Sequence, residues 1–167
     1  MPDIVPALTW DEAVIDTASA ALQRGAPILC DCEMVAAGIT RRFLPADNQV
    51  TVTLNDACVP ALAKTLSTTR SAAAVTLWEP YLDGAIIAIG NAPTALFAVL
   101  ELIERTRIQP AAILGFPVGF VGAAESKDAL CEAAACPFIT LTGTRGGSAL
   151  ASAAVNALCR IATGDKQ

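Results

Sequence analysis

A chain of 167 residues has the length of one ordinary domain with its own core. Apolar types supply 54% of it and charged types 16%, which excludes disorder and calls for a layer buried on both faces, an oligomer interface, or both. The net charge of -5 leaves no surplus of cations for phosphates and argues against a nucleic-acid partner, while the lack of any histidine excludes Ser-His-Asp and Cys-His catalysis and histidine-ligated metals within these residues.

The opening Met1-Pro2-Asp3-Ile4 has neither the cationic start nor the apolar run of a signal peptide, so a cytoplasmic chain is expected. Thr9 and Glu12 have capping-box spacing, and Val14, Ile15, Ala18, Ala21 and Leu22 recur on one helical face until Gly25. This predicts a first helix from about Trp10 to Arg24. Short apolar runs follow at residues 28–30, 50–54, 85–89, 111–114 and 138–141, separated by helix-length segments. The central runs are apolar throughout, as expected of parallel strands covered on both faces. The second is different: Val50 and Val52 alternate with Gln49, Thr51 and Thr53, the pattern of an edge strand with one wet face. Residues 84–100 carry no charge, but Gly90, Asn91 and Pro93 interrupt them, which predicts a strand, a turn and a helix rather than a membrane span. The fold expected is α/β, with three α/β/α layers doubly wound about a mainly parallel sheet of about five strands. It forms a single domain over residues 1–167 whose polar end, 163–167, frays. Cys30, Cys32, Cys58, Cys131, Cys136 and Cys159 lack paired CxxC spacing and sit mainly in apolar runs, so they are expected to be reduced core thiols with no metal.

Open parallel sheets bind ligands at the carboxyl ends of their strands, where loops enter helix N-termini. Three such loops are glycine-rich. Ile89-Gly90-Asn91-Ala92-Pro93-Thr94 offers Asn91 as a cap, Pro93 in the first helical turn, and free amides for an anion. Residues 114–122 lead into Glu125-Ser126-Lys127-Asp128, and Thr142-Gly143-Thr144-Arg145-Gly146-Gly147-Ser148 opens the last helix. Glycines after strands often serve turn geometry alone, but three such loops in succession favour an amide-lined binding floor. Arg70 opens an Ala-rich helix at the end where the macrodipole disfavours cations, which suggests an external anion. There is no GxGxxG and no Walker sequence, so a nucleotide-binding domain has only the glycine loops in its favour. The anion expected is a set of carboxylates.

At these loops the sequence resembles the precorrin-8X methylmutase family. The likeness rests on residues 25–31, Glu33-Met34-Val35, Asn48, Thr69-Arg70-Ser71-Ala72-Ala73-Ala74, residues 89–96, residues 115–127 and Gly146-Gly147-Ser148, in register from about Thr9 to Ala162. The resemblance implies an isomerase of cobalamin biosynthesis that moves a methyl group from C11 to C12 of precorrin-8X to give hydrogenobyrinate. It further implies a homodimer with no metal or organic cofactor. The substrate-contacting arginine and serine of the family match Arg70 and Ser71, and Thr40 matches another pocket position. Asn91, Glu125, Ser126, Lys127, Gly146, Gly147 and Ser148 are expected to be ligand contacts from their loop positions. The resemblance also implies a catalytic histidine in a His-Ala-Cys-Gly-like motif, on a leading segment of a few dozen residues. This sequence holds no histidine, and Ala37 stands where some relatives have one, so no catalytic residue is assigned. Asp31, Cys32, Glu33 and Glu125 remain as candidate acids, and a non-catalytic corrinoid-binding module is the alternative reading.

Overall fold

The computed structural model describes residues 2–164. The five apolar runs become β2 (Ile28–Cys30), β3 (Val50–Val52), β4 (Ile86–Ile89), β5 (Ala112–Gly115) and β6 (Phe138–Leu141). A sixth strand, β1 (Leu8–Trp10), pairs antiparallel with β6, Leu8 opposite Leu141 and Trp10 opposite Ile139. The order across the sheet is β1-β6-β5-β4-β2-β3, with all pairs but the first parallel. The expected edge position of β3 therefore holds.

The first helix departs from expectation. Thr9 and Trp10 lie in β1, and α1 spans Val14–Gln23 with Ala13 at its N-cap and no side-chain cap. Asp11 takes over the turn by accepting the Ala13 N–H at 2.8 Å. The pairing of residues 8–10 with residues 139–141 outweighs a local capping pattern because it satisfies backbone groups along the sheet edge.

Period-two alternation assigns the strands' side chains to two cores. Ile28, Cys30, Ile86, Ala88, Ala112 and Leu114 face α1, α2 (Glu33–Gly38) and α7 (Ser148–Ala162). Leu29, Ile87, Ile89, Ile113 and Phe138 face α5 (Pro93–Thr106), α6 (Ala123–Ala133) and the 3-10 segment Thr76–Tyr81. The expected three layers are thus present. α3 (Val59–Thr65) and α4 (Arg70–Val75) pack together over Val59, Ala63, Ala73 and Ala74. Asn48 is buried and its amide donates to the carbonyls of Leu22 and Ala26, both at 2.9 Å, fastening the turn that enters β2. Of the tail expected to fray, Thr163 and Gly164 continue the backbone bonding of α7, to Cys159 and Ile161; residues 165–167 lie outside the described residues.

Four cysteines are buried, Cys131 is half-buried and Cys58 is exposed, all of them free thiols. Burial pushes the Cys136 thiol up to about 12 and that of Cys159 up to about 11. No described helix is long and apolar enough to cross a membrane.

Candidate functional site at the carboxyl rim

Five parallel strands bring their carboxyl ends to one rim, and the chain reverses its strand order at β2, which has β3 on one side and β4 on the other. The loops after β2 and β4 consequently leave toward opposite faces, through α2 and α5, and open a crevice between them. All three glycine-rich loops meet along this rim, as expected from the sequence. Their backbones are stitched to one another: Phe116 N–H donates to Ile89 O at 2.7 Å, Gly147 N–H to Phe116 O at 2.8 Å, and Gly119 N–H to Thr144 O at 3.4 Å.

The crevice is closed from inside. Asp31, at the end of β2 and 4% exposed, accepts the N–H groups of Gly90 at 2.9 Å, Asn91 at 2.9 Å and Ala92 at 2.8 Å. This overturns the expectation that these amides are free for a ligand anion: a carboxylate of the chain itself neutralises the N-terminal end of the fourteen-residue α5. It also displaces Asn91 from the capping role expected of it; Ala92 is the N-cap and Pro93 starts the helix. The backbone of Asn91 is engaged on both sides, its carbonyl by Val118 N–H at 3.5 Å, while the residue stays exposed.

Close approach explains two glycines here. A Cβ on Gly90 would lie 2.6 Å from a Val35 methyl and 2.7 Å from Ser148 Cα, and one on Gly146 would overlap the carbonyl oxygens of Phe116 and Pro117. Ser148, opening α7, comes within 3.5 Å of the Cys32 thiol.

Ser126 and Lys127 are turned inward. Ser126 donates to Ala123 O at 3.1 Å within its own helix. Lys127 is fully buried, and its ammonium donates to Arg145 O at 2.6 Å, so it holds the β6–α7 loop from below. Burial pushes this ammonium below the ordinary lysine value, and Asp128 opposes that shift. Glu125 is exposed on the same helix start.

On the β3 side of the rim, Thr69 caps α4 by accepting Ala72 N–H at 3.1 Å and shares a hydroxyl contact of 2.8 Å with Thr94 at the start of α5. Arg70 is exposed and reaches Leu54 O at 3.2 Å and Asn55 Oδ1 at 3.4 Å. The ion pairs among the described residues are Arg105–Glu79 and Arg145–Asp3, so Arg70 forms no ion pair with a carboxylate of the described residues. Since α4 is only six residues long, its macrodipole is small and the dipole argument for an anion weakens; the unpaired guanidinium is the stronger observation. Ser71 is half-buried beside it.

Thr40 stands apart. Its N–H donates to Asn156 Oδ1 at 2.8 Å, two turns down α7 from Ser148. Three apolar residues project from the rim: Met34 is 73% exposed, Phe120 98% and Val121 88%. Sequence reasoning missed Phe120 and Val121 as individual residues, along with Asn55 and the internal role of Asp31. A charged residue ending an apolar strand was the signal for Asp31, but its partners lie 59–61 positions away. A groove of about 550 Å³ between α5 and α6, lined by Phe97, Leu100, Arg107 and Gln109 among others, holds none of the expected site residues.

Comparison with known proteins agrees with this arrangement. The sequence model of the CbiC family, precorrin-8X methylmutase, matches residues 1–161. A precorrin-8X methylmutase of Sinorhizobium is 58% identical over 147 residues, spanning 87% of this chain and 70% of that protein. One from Pseudomonas aeruginosa is 54% identical over 159 residues, 95% of this chain and 76% of the relative. Among solved structures, a precorrin-8X methylmutase related protein superposes with a TM-score of 0.88 at 35% identity, covering 95% of this chain and 83% of its own. The precorrin-8X methylmutase of Thermus thermophilus gives 0.86 at 37% identity, covering 98% and 80%. With the sequence match running through every loop of the rim and the fold reproduced around it, the chain belongs to the precorrin-8X methylmutase family.

Proposed function

We propose that this chain is an isomerase of cobalamin biosynthesis that moves a methyl group from C11 to C12 of precorrin-8X, giving hydrogenobyrinate. The observation that carries the reading is the gathering of Arg70, Ser71, Asn91 and Ser148 on one rim whose loops all fall within the matched residues. In this reading Arg70 takes a carboxylate arm of the tetrapyrrole, with Ser71 beside it. Asn91 and Ser148 supply neutral hydrogen bonds, and Gly146 and Gly147 let the ring approach the backbone. Lys127 acts through the β6–α7 loop it supports, Ser126 through the first turn of α6, and Thr40 through the α2–α7 seam. Glu125 flanks the rim.

In the shift the bond from the methyl to C11 breaks as the bond to C12 forms, and protonation of the macrocycle draws electrons along. Holding the ring rigidly lowers the entropic part of the barrier. A positioned general acid contributes a further factor of about 100 to 10,000. Asp31 is buried and already accepts three backbone N–H groups, whereas Glu33 and Glu125 are exposed carboxyl groups along the rim. Incubation with precorrin-8X is the test: appearance of hydrogenobyrinate in the visible spectrum is expected, and a bound but unchanged substrate defeats catalysis by this polypeptide. A second reading, a corrinoid-binding module without catalysis, predicts a coloured complex with hydrogenobyrinate and no turnover.

The exposed Met34, Phe120 and Val121 support a homodimer, expected at twice the chain mass by light scattering at micromolar concentration; a monomer counts against it. Six free thiols support a reducing, cytoplasmic compartment.

A further inference from the structure

We infer that Asp31 is a positioning and specificity-determining residue of the rim: its carboxylate is a built-in anion that shapes the Gly90–Ala92 turn and denies the N-terminus of α5 to the acidic arms of a ligand. The inference deepens the reading of the rim as a corrinoid site and rests on it.

The argument is geometric. Three consecutive backbone N–H groups converge on one carboxylate within 2.8–2.9 Å, at the point where strand order reverses and where a doubly wound sheet ordinarily receives a ligand anion. Asp31 is 4% exposed, so little solvent competes for these bonds. Its two oxygens are shared unequally, Oδ1 with Gly90 and Oδ2 with both Asn91 and Ala92, which fixes the turn in rotation as well as position. Because the Asn91 N–H points inward to Asp31 and its carbonyl is taken by Val118, the exposed part of Asn91 is a neutral amide. A ligand carboxylate meets no unpaired backbone N–H from Gly90 to Ala92, and the charge of Asp31 repels it. The unpaired Arg70, across the Thr69–Thr94 contact, is then the cation that such an arm can reach. Asp31 thereby sets which end of the crevice takes charge and which takes neutral groups.

Asp31→Ala leaves three amides around a space the size of a small carboxylate, and formate is the probe. Formate is expected to raise the melting temperature of Asp31→Ala more than that of the parent chain, and more than chloride at equal ionic strength. Hydrogenobyrinate is expected to bind Asp31→Ala about tenfold or more weakly and to recover with formate, a rescue that loss of bulk packing would not show. Asp31→Asn keeps the volume but turns one amide donor toward backbone donors; it is expected to bind weakly and to ignore formate. Unaltered affinity in either variant, or a melting temperature of Asp31→Ala indifferent to formate, overturns the inference. If Asp31→Ala folds only when formate is present, that too supports it; if it folds in neither condition while Asp31→Asn binds normally, the inference falls. Should the parent chain itself fail to bind hydrogenobyrinate, the corrinoid reading fails, and the formate shift still decides the role of Asp31.

Discussion

The rim has a floor and a crest built on opposite principles. In the floor, the polar groups named above bond within the chain: Asp31 to three amides, Gly147 N–H to Phe116 O, and the Lys127 ammonium to Arg145 O. On the crest, Arg70, Asn91 and Phe120 are exposed, and the two bonds of Arg70 are long. The contrast teaches that a glycine-rich loop after a strand does not announce a ligand. Here its glycines buy close packing in the floor, and recognition passes to side chains standing above it.

The sharpest way to break this contrast is to overfill the floor. Gly146→Ala drives a Cβ into two carbonyl oxygens that belong to backbone and cannot rotate away. It is expected to cost about 3 kcal/mol or more in urea unfolding. Gly143→Ala, three residues earlier in the same loop, meets nothing within 4 Å and carries only the strain of a φ of +76°, about 1 kcal/mol. Equal losses would mean that the floor is no tighter than the loop above it.

Arg70→Ala tests the crest next. The guanidinium is exposed and lightly held, so unfolding stability is expected to shift by less than about 0.5 kcal/mol. Affinity for hydrogenobyrinate, followed in the visible spectrum, is expected to fall by about 1.5–3 kcal/mol, the range for a hydrogen bond to a charged group. Unchanged affinity removes Arg70 from the site.

Much of the fold was legible because it is written in local patterns. Uninterrupted apolar runs gave the central strands, and the alternation around Thr51 gave the edge at β3. β1 was not legible: Leu8, Thr9 and Trp10 become a strand only through Leu141, Thr140 and Ile139, which no local spacing reports. The same limit applies to the site. Position after a strand pointed to Asn91 and Ser148, and a cation opening a helix pointed to Arg70, whereas the inward turn of Lys127 depends on a carbonyl eighteen residues away. Asp31 looked like a candidate acid from its place after β2; only its contacts across the crevice reveal an acceptor.

Two thiols carry the contrast into pH. Cys30 lies under Asp31 at the end of β2, and burial first, then the charge of Asp31, raises its thiol far above 9.0. The unfolded chain releases this proton above pH 9 and the folded chain keeps it, so the unfolded state binds fewer protons and stability falls as pH rises. The contribution is whole below pH 9 and is expected to shrink by about 1.4 kcal/mol by pH 10, one unit above the unfolded value. Cys30→Ala should make the fall in stability between pH 8 and pH 10 shallower in urea titrations, with the raised thiols of Cys136 and Cys159 leaving a remainder. Cys58, exposed beside β3, has its thiol raised chiefly by the Asp56 side chain. It is expected to be the fastest thiol to react with a maleimide, and Asp56→Asn to speed it further. Faster labelling of Cys32, 9% exposed in the floor, would contradict the division.

The smallest expected effect on folding belongs to Phe120. An aromatic ring 98% exposed has almost no apolar area buried by folding, so Phe120→Ala is expected to leave the unfolding midpoint of a dilute chain within about 0.5 kcal/mol. If the ring is covered by a second copy, the same variant should lower the mass seen by light scattering and remove any dependence of the melting temperature on protein concentration. If bound hydrogenobyrinate covers it instead, the mass stays and the affinity drops. A loss of more than about 1 kcal/mol that is independent of both concentration and ligand would place Phe120 in the packed floor, and the crest would then lose its most exposed member.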